Sequence, residues 1–99
     1  MTGNARNNKL DIIYSRYKDL MHYIANDVLR DYHLAEDAVN QALYRISESL
    51  DELDEADSAQ TKNFVSVVTK RTAIDMYRKR AKTDALSLNA LIADFSGAE

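Results

Sequence analysis

Apolar residues recur at three- and four-residue steps through most of the chain, in runs separated by polar interruptions. The first run, Leu10, Ile13, Tyr14, Tyr17, Met21, Ile24, Ala25 and Val28, lines one face of a helix over about five turns. Asn7 or Asn8 is placed to cap its start by accepting from a free backbone N–H. The segment Arg30 to His33 breaks the pattern, which resumes with Ala35, Ala38, Val39, Ala42, Ile46 and Leu50. Glu36 and Asp37 then fall in a first turn, where carboxylates complement the positive end of the helix dipole. Between Asp51 and Gln60 stand five carboxylates, too many to bury, which predicts a solvated loop. Ser58 caps a third helix running to about Arg80, on the order of 30 Å long, with Phe64, Val67, Val68, Ile74 and Tyr77 as its core face. After Ser87, the spacing of Leu88, Leu91, Ile92 and Phe95 outlines a short amphipathic helix or a linker. The expectation is an all-α compact bundle of three long helices plus a short C-terminal one.

Composition agrees with this and narrows the chemistry. Proline and cysteine are absent, and the two glycines, Gly3 and Gly97, stand near the ends, so nothing interior breaks a helix. At 99 residues, 45% of them apolar, the chain is one domain with a modest core. No apolar run approaches the ~18 residues of a membrane span, and the N-terminal MTGNARNNKL lacks the apolar core of a signal peptide. A cytoplasmic location without a membrane partner is expected. Without cysteine there is no disulfide framework, thiolate metal site or cysteine nucleophile. His22 and His33 fall on different elements with no acidic residue at ligand spacing, and no glycine-rich loop exists to cradle a phosphate. Glu36 and Asp37 are adjacent, so on a helix they point about 100° apart and do not flank one substrate. These features predict neither enzyme activity nor a metal or other cofactor.

Charge changes the picture most. The formal total is −3, which alone argues against a nucleic-acid partner. The distribution says otherwise. Residues 1–30 carry +2, residues 31–57 carry −8, residues 62–82 carry +6 and residues 83–99 carry −3. In the third helix Lys62, Lys70, Arg71, Arg78, Lys79, Arg80 and Lys82 face Asp75 alone. Some of this cationic character complements the helix dipole at a C-terminus, but six net charges in 21 residues exceed that need. A row of Lys and Arg along a helix edge releases counterions on meeting a nucleic-acid backbone. Arg71 and Asp75 stand at i, i+4 and Arg78 three residues further on, a spacing that lets Asp75 hold one of these guanidiniums.

These residues carry a resemblance. LAEDAVNQALYRI, Leu34 to Ile46, followed by FVSVVTKRTAIDMYRKR, Phe64 to Arg80, resembles the second conserved region of bacterial RNA polymerase sigma factors, most nearly the compact extracytoplasmic-function type. Ala35, Glu36, Asp37, Val39, Arg45 and Ile46 match the first motif of that region, and Ala73, Asp75 and Arg78 match the second at its spacing. The resemblance reaches back through YSRYKDLMHYIA, Tyr14 to Ala25, and so covers about residues 10–82. It implies the sigma region-two fold for residues 1–82, with residues 83–99 as a linker or short amphipathic helix.

What the resemblance implies about partners divides along the charge map. The second helix of such a domain docks on a coiled coil of the largest polymerase subunit, which here implies Asp37, Asn40, Gln41, Tyr44, Arg45 and Glu48. The third helix and the loop before it bind the promoter −10 element, hold the non-template single strand, help melt the duplex and capture a flipped base. The implied contacts are Lys62, Asn63, Lys70, Arg71, Met76, Arg78, Lys79, Arg80 and Lys82, with Asp75 structural and the loop from Asp54 to Asn63 as the base pocket. Tyr77 has two readings, a core side chain or a stacking platform for a base. An anti-sigma factor is a further implied partner. Asn40 stands where the family usually has Gln, Gln41 where it has an acid, Leu43 where Phe is common and Arg71 where Asn is frequent. Those departures and the acidic loop motivate an alternative, a helical protein-interaction module that acts as a decoy for polymerase or anti-sigma factor without binding DNA. A helix-turn-helix repressor built on residues 34–50 is disfavoured, because that helix is acidic where a recognition helix approaches phosphates.

Overall fold

With no proline or interior glycine to punctuate the chain, helix ends fall where single side chains and turns place them. In a computed structural model, described here for residues 2–97 and for side chains 8–94, three helices account for most of the chain. They are α1 (Thr2–Leu29), α2 (Tyr32–Ser47) and α3 (Ala59–Gly97), with one short 3-10 turn at Leu50–Glu52. No strand occurs among the described residues. Because α1 already starts at Thr2, Asn7 and Asn8 lie inside the helix and not at its start.

The first corner is built by two residues. Arg30 adopts φ 54°, the left-handed conformation that ends helices, and its N–H closes on the Asn26 carbonyl at 2.8 Å. Asp31 is extended and its carboxylate accepts from the backbone N–H of Leu34 at 3.0 Å, so it is the N-cap of α2. Glu36 and Asp37 therefore sit one turn further in than the apolar spacing implied. At the second corner Ser58 caps α3 as expected, its hydroxyl accepting from the N–H of Thr61 at 3.1 Å.

Each helix contributes one stripe to a shared core. On α1 the stripe is Ile13, Tyr17, Met21, Ala25 and Leu29, a strict four-residue step; Tyr14 lies off it and is exposed. On α2 it is Ala35, Ala38, Val39, Ala42 and Ile46, continued by Leu50. The stripe of α3 departs from the expected one: Thr61, Val65, Thr69, Thr72 and Ala73 are buried, Phe64, Val68 and Met76 pack at the margin, and Val67 and Tyr77 are exposed. Threonine serves there because its hydroxyl is satisfied locally. Thr69 donates to the Val65 carbonyl and Thr72 to that of Val68, each at 2.7 Å, leaving a valine-like surface toward the core.

The C-terminal segment forms no separate helix. No break occurs at Lys82 or Ser87, and α3 continues for 39 residues, about 58 Å at 1.5 Å per residue. Alanine, leucine and lysine favour continuation, and glycine does not intervene before Gly97. Every side chain from Tyr77 to Asp94 is exposed, including Leu86, Leu88, Leu91 and Ile92, so this part projects past the bundle; the side chain of Phe95 lies outside the described residues. The molecule is accordingly elongated, 67 Å by 26 Å by 19 Å.

Two predictions follow from the first corner. Arg30→Gly removes the left-handed penalty and raises stability by about 1 kcal/mol, read as a rise of several degrees in Tm. The Asp31 carboxyl is held below its ordinary value, first by the Leu34 N–H; partial burial opposes this, and the His33 N–H and the charges of Arg80 and His33 add to it. A depressed carboxyl stabilises the fold above its unfolded pKa and loses that contribution as pH falls through the folded value. Asp31→Asn therefore flattens the loss of thermal stability below about pH 4.

Candidate nucleic-acid interface

On α2 the exposed residues Asp37, Asn40, Gln41, Tyr44 and Glu48 recur at three- and four-residue steps and form one continuous stripe. Tyr44 is 70% exposed at its centre, an unusual position for an aromatic ring without a partner. Arg45 lies about 80° around the helix from Asp37, toward α3. It does not belong to the stripe in the same sense. Its Nη1 donates to Thr72 Oγ1 at 3.0 Å and pairs with Asp75 Oδ2 at 3.3 Å. Asp75 is thus engaged from α2 by Arg45 and not along its own helix by Arg71 or Arg78.

The cations of α3 sort into two sides of its outward face. Arg71, Arg78 and Lys82 lie within about 60° of Asp75 around the helix, with Lys79 about 40° on the other side of it. All four are exposed, and none has an ion-pair or hydrogen-bond partner among the described residues. Asn63, Lys70 and Tyr77, at seven-residue steps, form a second exposed row. Tyr77 is 54% exposed, which excludes the core reading. Arg80 belongs to neither row: it turns toward the first corner, where its charge acts on Asp31 and where it borders a 290 Å³ notch with Leu29, Tyr77 and Asp84. Met76 is half-buried against the core, and Lys62 is exposed in the first turns of α3.

The acidic loop is anchored despite its charge. Lys9 of α1 donates to the carbonyls of Leu50 at 3.0 Å and Leu53 at 2.7 Å, satisfying the end of the 3-10 turn. Tyr17 donates to the Ala56 carbonyl at 2.6 Å, and Thr61 to that of Asp54 at 3.1 Å. Gln60 accepts from the Asp54 N–H at 2.9 Å. Beside the loop opens a groove of about 890 Å³, with Lys9, Ile12 and Arg16 on its α1 wall and residues 53–58 on the other. One wall is cationic and apolar, and the other presents carboxylates.

An acidic and polar stripe on α2, a cationic outward face on α3 and an anchored loop between them agree with a comparison at the family level. Residues 13–83 match Sigma-70 region 2, about seven-tenths of the chain. The chain belongs to the Sigma-70 region 2 family. No individual curated protein and no solved structure matches it. As a Sigma-70 region 2 domain it is of the type that binds RNA polymerase and recognises promoters, and its all-helical fold is the one expected. The match ends within the exposed part of α3, so residues 84–97 lie beyond it. Among the described residues no helix is long and apolar enough to cross a membrane, and no group of three or more His, Asp or Glu gathers to hold a metal.

Lys9, Arg16 and Tyr17 are the contributors that the sequence did not reveal. They belong to α1; Lys9 and Tyr17 bond a loop some 40 residues away and Arg16 lines the groove beside it, a relation that only tertiary structure supplies. Tyr17→Phe removes the bond to Ala56 without leaving a cavity. Its expected outcome is a loss of about 1 kcal/mol and faster amide exchange at residues 53–58, with exchange in the middle of α2 unchanged.

Proposed function

We propose that this sigma region 2 domain docks on core RNA polymerase through the α2 stripe of Asp37, Asn40, Gln41, Tyr44 and Glu48, the receiving surface being a coiled coil of the largest subunit. With α3 and the acidic loop it recognises the promoter −10 element, holds the non-template strand and assists melting. The observation that carries this reading is the set of unpaired cations on the outward face of α3, standing apart from the α2 stripe. Unpaired, exposed guanidinium and ammonium groups are what phosphate contact with counterion release requires. Asn63, Lys70 and Tyr77 add a row that ends in an exposed ring for base stacking, preceded by groups that reach phosphate or base edges.

The groove beside the loop is the place for a flipped base. Unstacking costs a few kcal/mol, and a loop held by Lys9, Tyr17, Thr61 and Gln60 needs no further ordering when the base arrives. The acidic wall turns phosphates away and favours entry of the uncharged base. Residues 1–82 act as this unit and residues 83–99 as its linker.

Separate faces are tested by separate losses. Arg78→Glu with Lys79→Glu weakens binding to single-stranded promoter DNA at least tenfold and flattens its salt dependence, while retention on purified core polymerase is unchanged. Asp37→Arg with Glu48→Arg does the reverse. Equal loss of both activities in either pair contradicts the assignment. Retention of polymerase by a wild-type chain that binds no DNA at low salt identifies a protein-only module.

A further inference from the structure

Asp75 is the one anion in the cationic stretch of α3, and the cations nearest along its own helix are Arg71 at i−4, Arg78 at i+3 and Lys79 at i+4. Each of these spacings supports an intrahelical ion pair. The carboxylate takes none of them and is engaged from α2 by Arg45 at 3.3 Å. The same Nη1 is fixed by Thr72 Oγ1 at 3.0 Å. Thr72 is fully buried and its proton is committed to the Val68 carbonyl at 2.7 Å, so the hydroxyl offers Arg45 a lone pair in a set direction. The guanidinium is anchored at a rigid point of α3, and Asp75 is drawn toward it.

We propose that Arg45 is a positioning residue for DNA binding: by engaging Asp75 from α2 it keeps that carboxylate off Arg71 and Arg78, which stay available to phosphates. The proposal rests on the reading of α3 as the DNA-facing helix, and it moves Arg45 out of the polymerase-docking set. Both side chains of the pair are nearly half exposed, 43% and 48%, so its contribution to stability is small. Its effect is on where charge is displayed. Without Arg45, Asp75 closes on Arg71 or Arg78 across one turn of α3, withdrawing a phosphate ligand from the strand. Neutralising Asp75 then cures the loss of Arg45, a relation that neither a packing role nor a polymerase contact produces.

The experiment is a double-mutant cycle on the full chain, read by fluorescence anisotropy with labelled single-stranded DNA of random sequence and, in parallel, by affinity for core polymerase. Arg45→Gln is expected to weaken DNA binding about three- to tenfold, the value of one lost phosphate contact at physiological salt, and to leave polymerase affinity unchanged. Asp75→Asn alone changes DNA affinity less than twofold, and the double variant returns to within twofold of wild type. Arg45→Lys, which keeps a cation beside Asp75, retains most of the binding. Thermal melts of the four proteins confirm that all are folded. The proposal is overturned if Arg45→Gln leaves DNA binding intact, if the double variant stays as weak as the single one, or if Asp75→Asn tightens binding equally in both backgrounds. It is overturned as well if polymerase affinity falls with Arg45→Gln. A wild-type chain that binds no single strand removes the DNA-facing reading itself, which the other arms distinguish from failure of the Arg45 relation.

Discussion

Ala35, Ala38 and Ala42 are fully buried along α2, and because each ends at its β-carbon they let this helix lie close to both neighbours at once. Much else depends on that approach. Met21 and Ile13 of α1 are fully buried in the same cluster, each burial worth about 1.5–3 kcal/mol, and Val65 with the buried Thr61, Thr69 and Thr72 adds to the packing from α3. Close approach of α2 to α3 also brings a long side chain on the flank of one within hydrogen-bond reach of the other, which is how Arg45 meets Thr72 and Asp75. Since α2 ends on this packed face, Leu50 is carried into the core as well. The 3-10 turn that follows then falls beneath Lys9, and the acidic loop is tied to α1 from its first residues.

From this packing the charges acquire an arrangement. The helix with two buried flanks, α2, keeps one narrow outward stripe, and that stripe is polar and acidic. By contrast α3 keeps a broad outward face and outruns its neighbours, so its cations extend along a helix edge that no other element covers. A single strand of nucleic acid needs such a continuous, accessible row, whereas a coiled-coil partner needs a narrow stripe with an aromatic centre such as Tyr44. The acidic loop joins the end of α2 to the start of α3, and its backbone is tied to α1 by Lys9 and Tyr17.

The sequence made the helices legible because periodic apolar residues and the lack of breakers act locally. Ala35, Ala38, Val39, Ala42 and Ile46 were identified as core residues, and Ser58 as a cap, for that reason. Its limits were physical as well. The buried threonines of α3 were missed because a hydroxyl counts as polar until its own helix supplies the acceptor. Apolar spacing alone puts Tyr77 in the core face, whereas the buried stripe of Val65, Thr69, Thr72 and Ala73 ends before it. Asp75 was paired along its own helix, since i, i+4 spacing is visible in a sequence and a partner on α2 is not. The continuation of α3 through residues 83–97 is not visible in the sequence, whose apolar spacing restarts at Leu88 and outlines a linker or a separate short amphipathic helix, while the backbone has no reason to stop.

The central claim is that one small bundle presents two independent faces, one to polymerase and one to the promoter strand. It is tested most directly by amide chemical-shift mapping of the isotope-labelled chain, titrated separately with single-stranded promoter DNA and with the isolated coiled coil of the largest polymerase subunit. The account predicts that DNA perturbs amides of α3 from Asn63 to Lys82 and of residues 53–58, that the coiled coil perturbs Asp37 to Glu48, and that each titration proceeds unchanged in the presence of the other ligand. Perturbation of the same residues by both ligands, or displacement of one by the other, contradicts it.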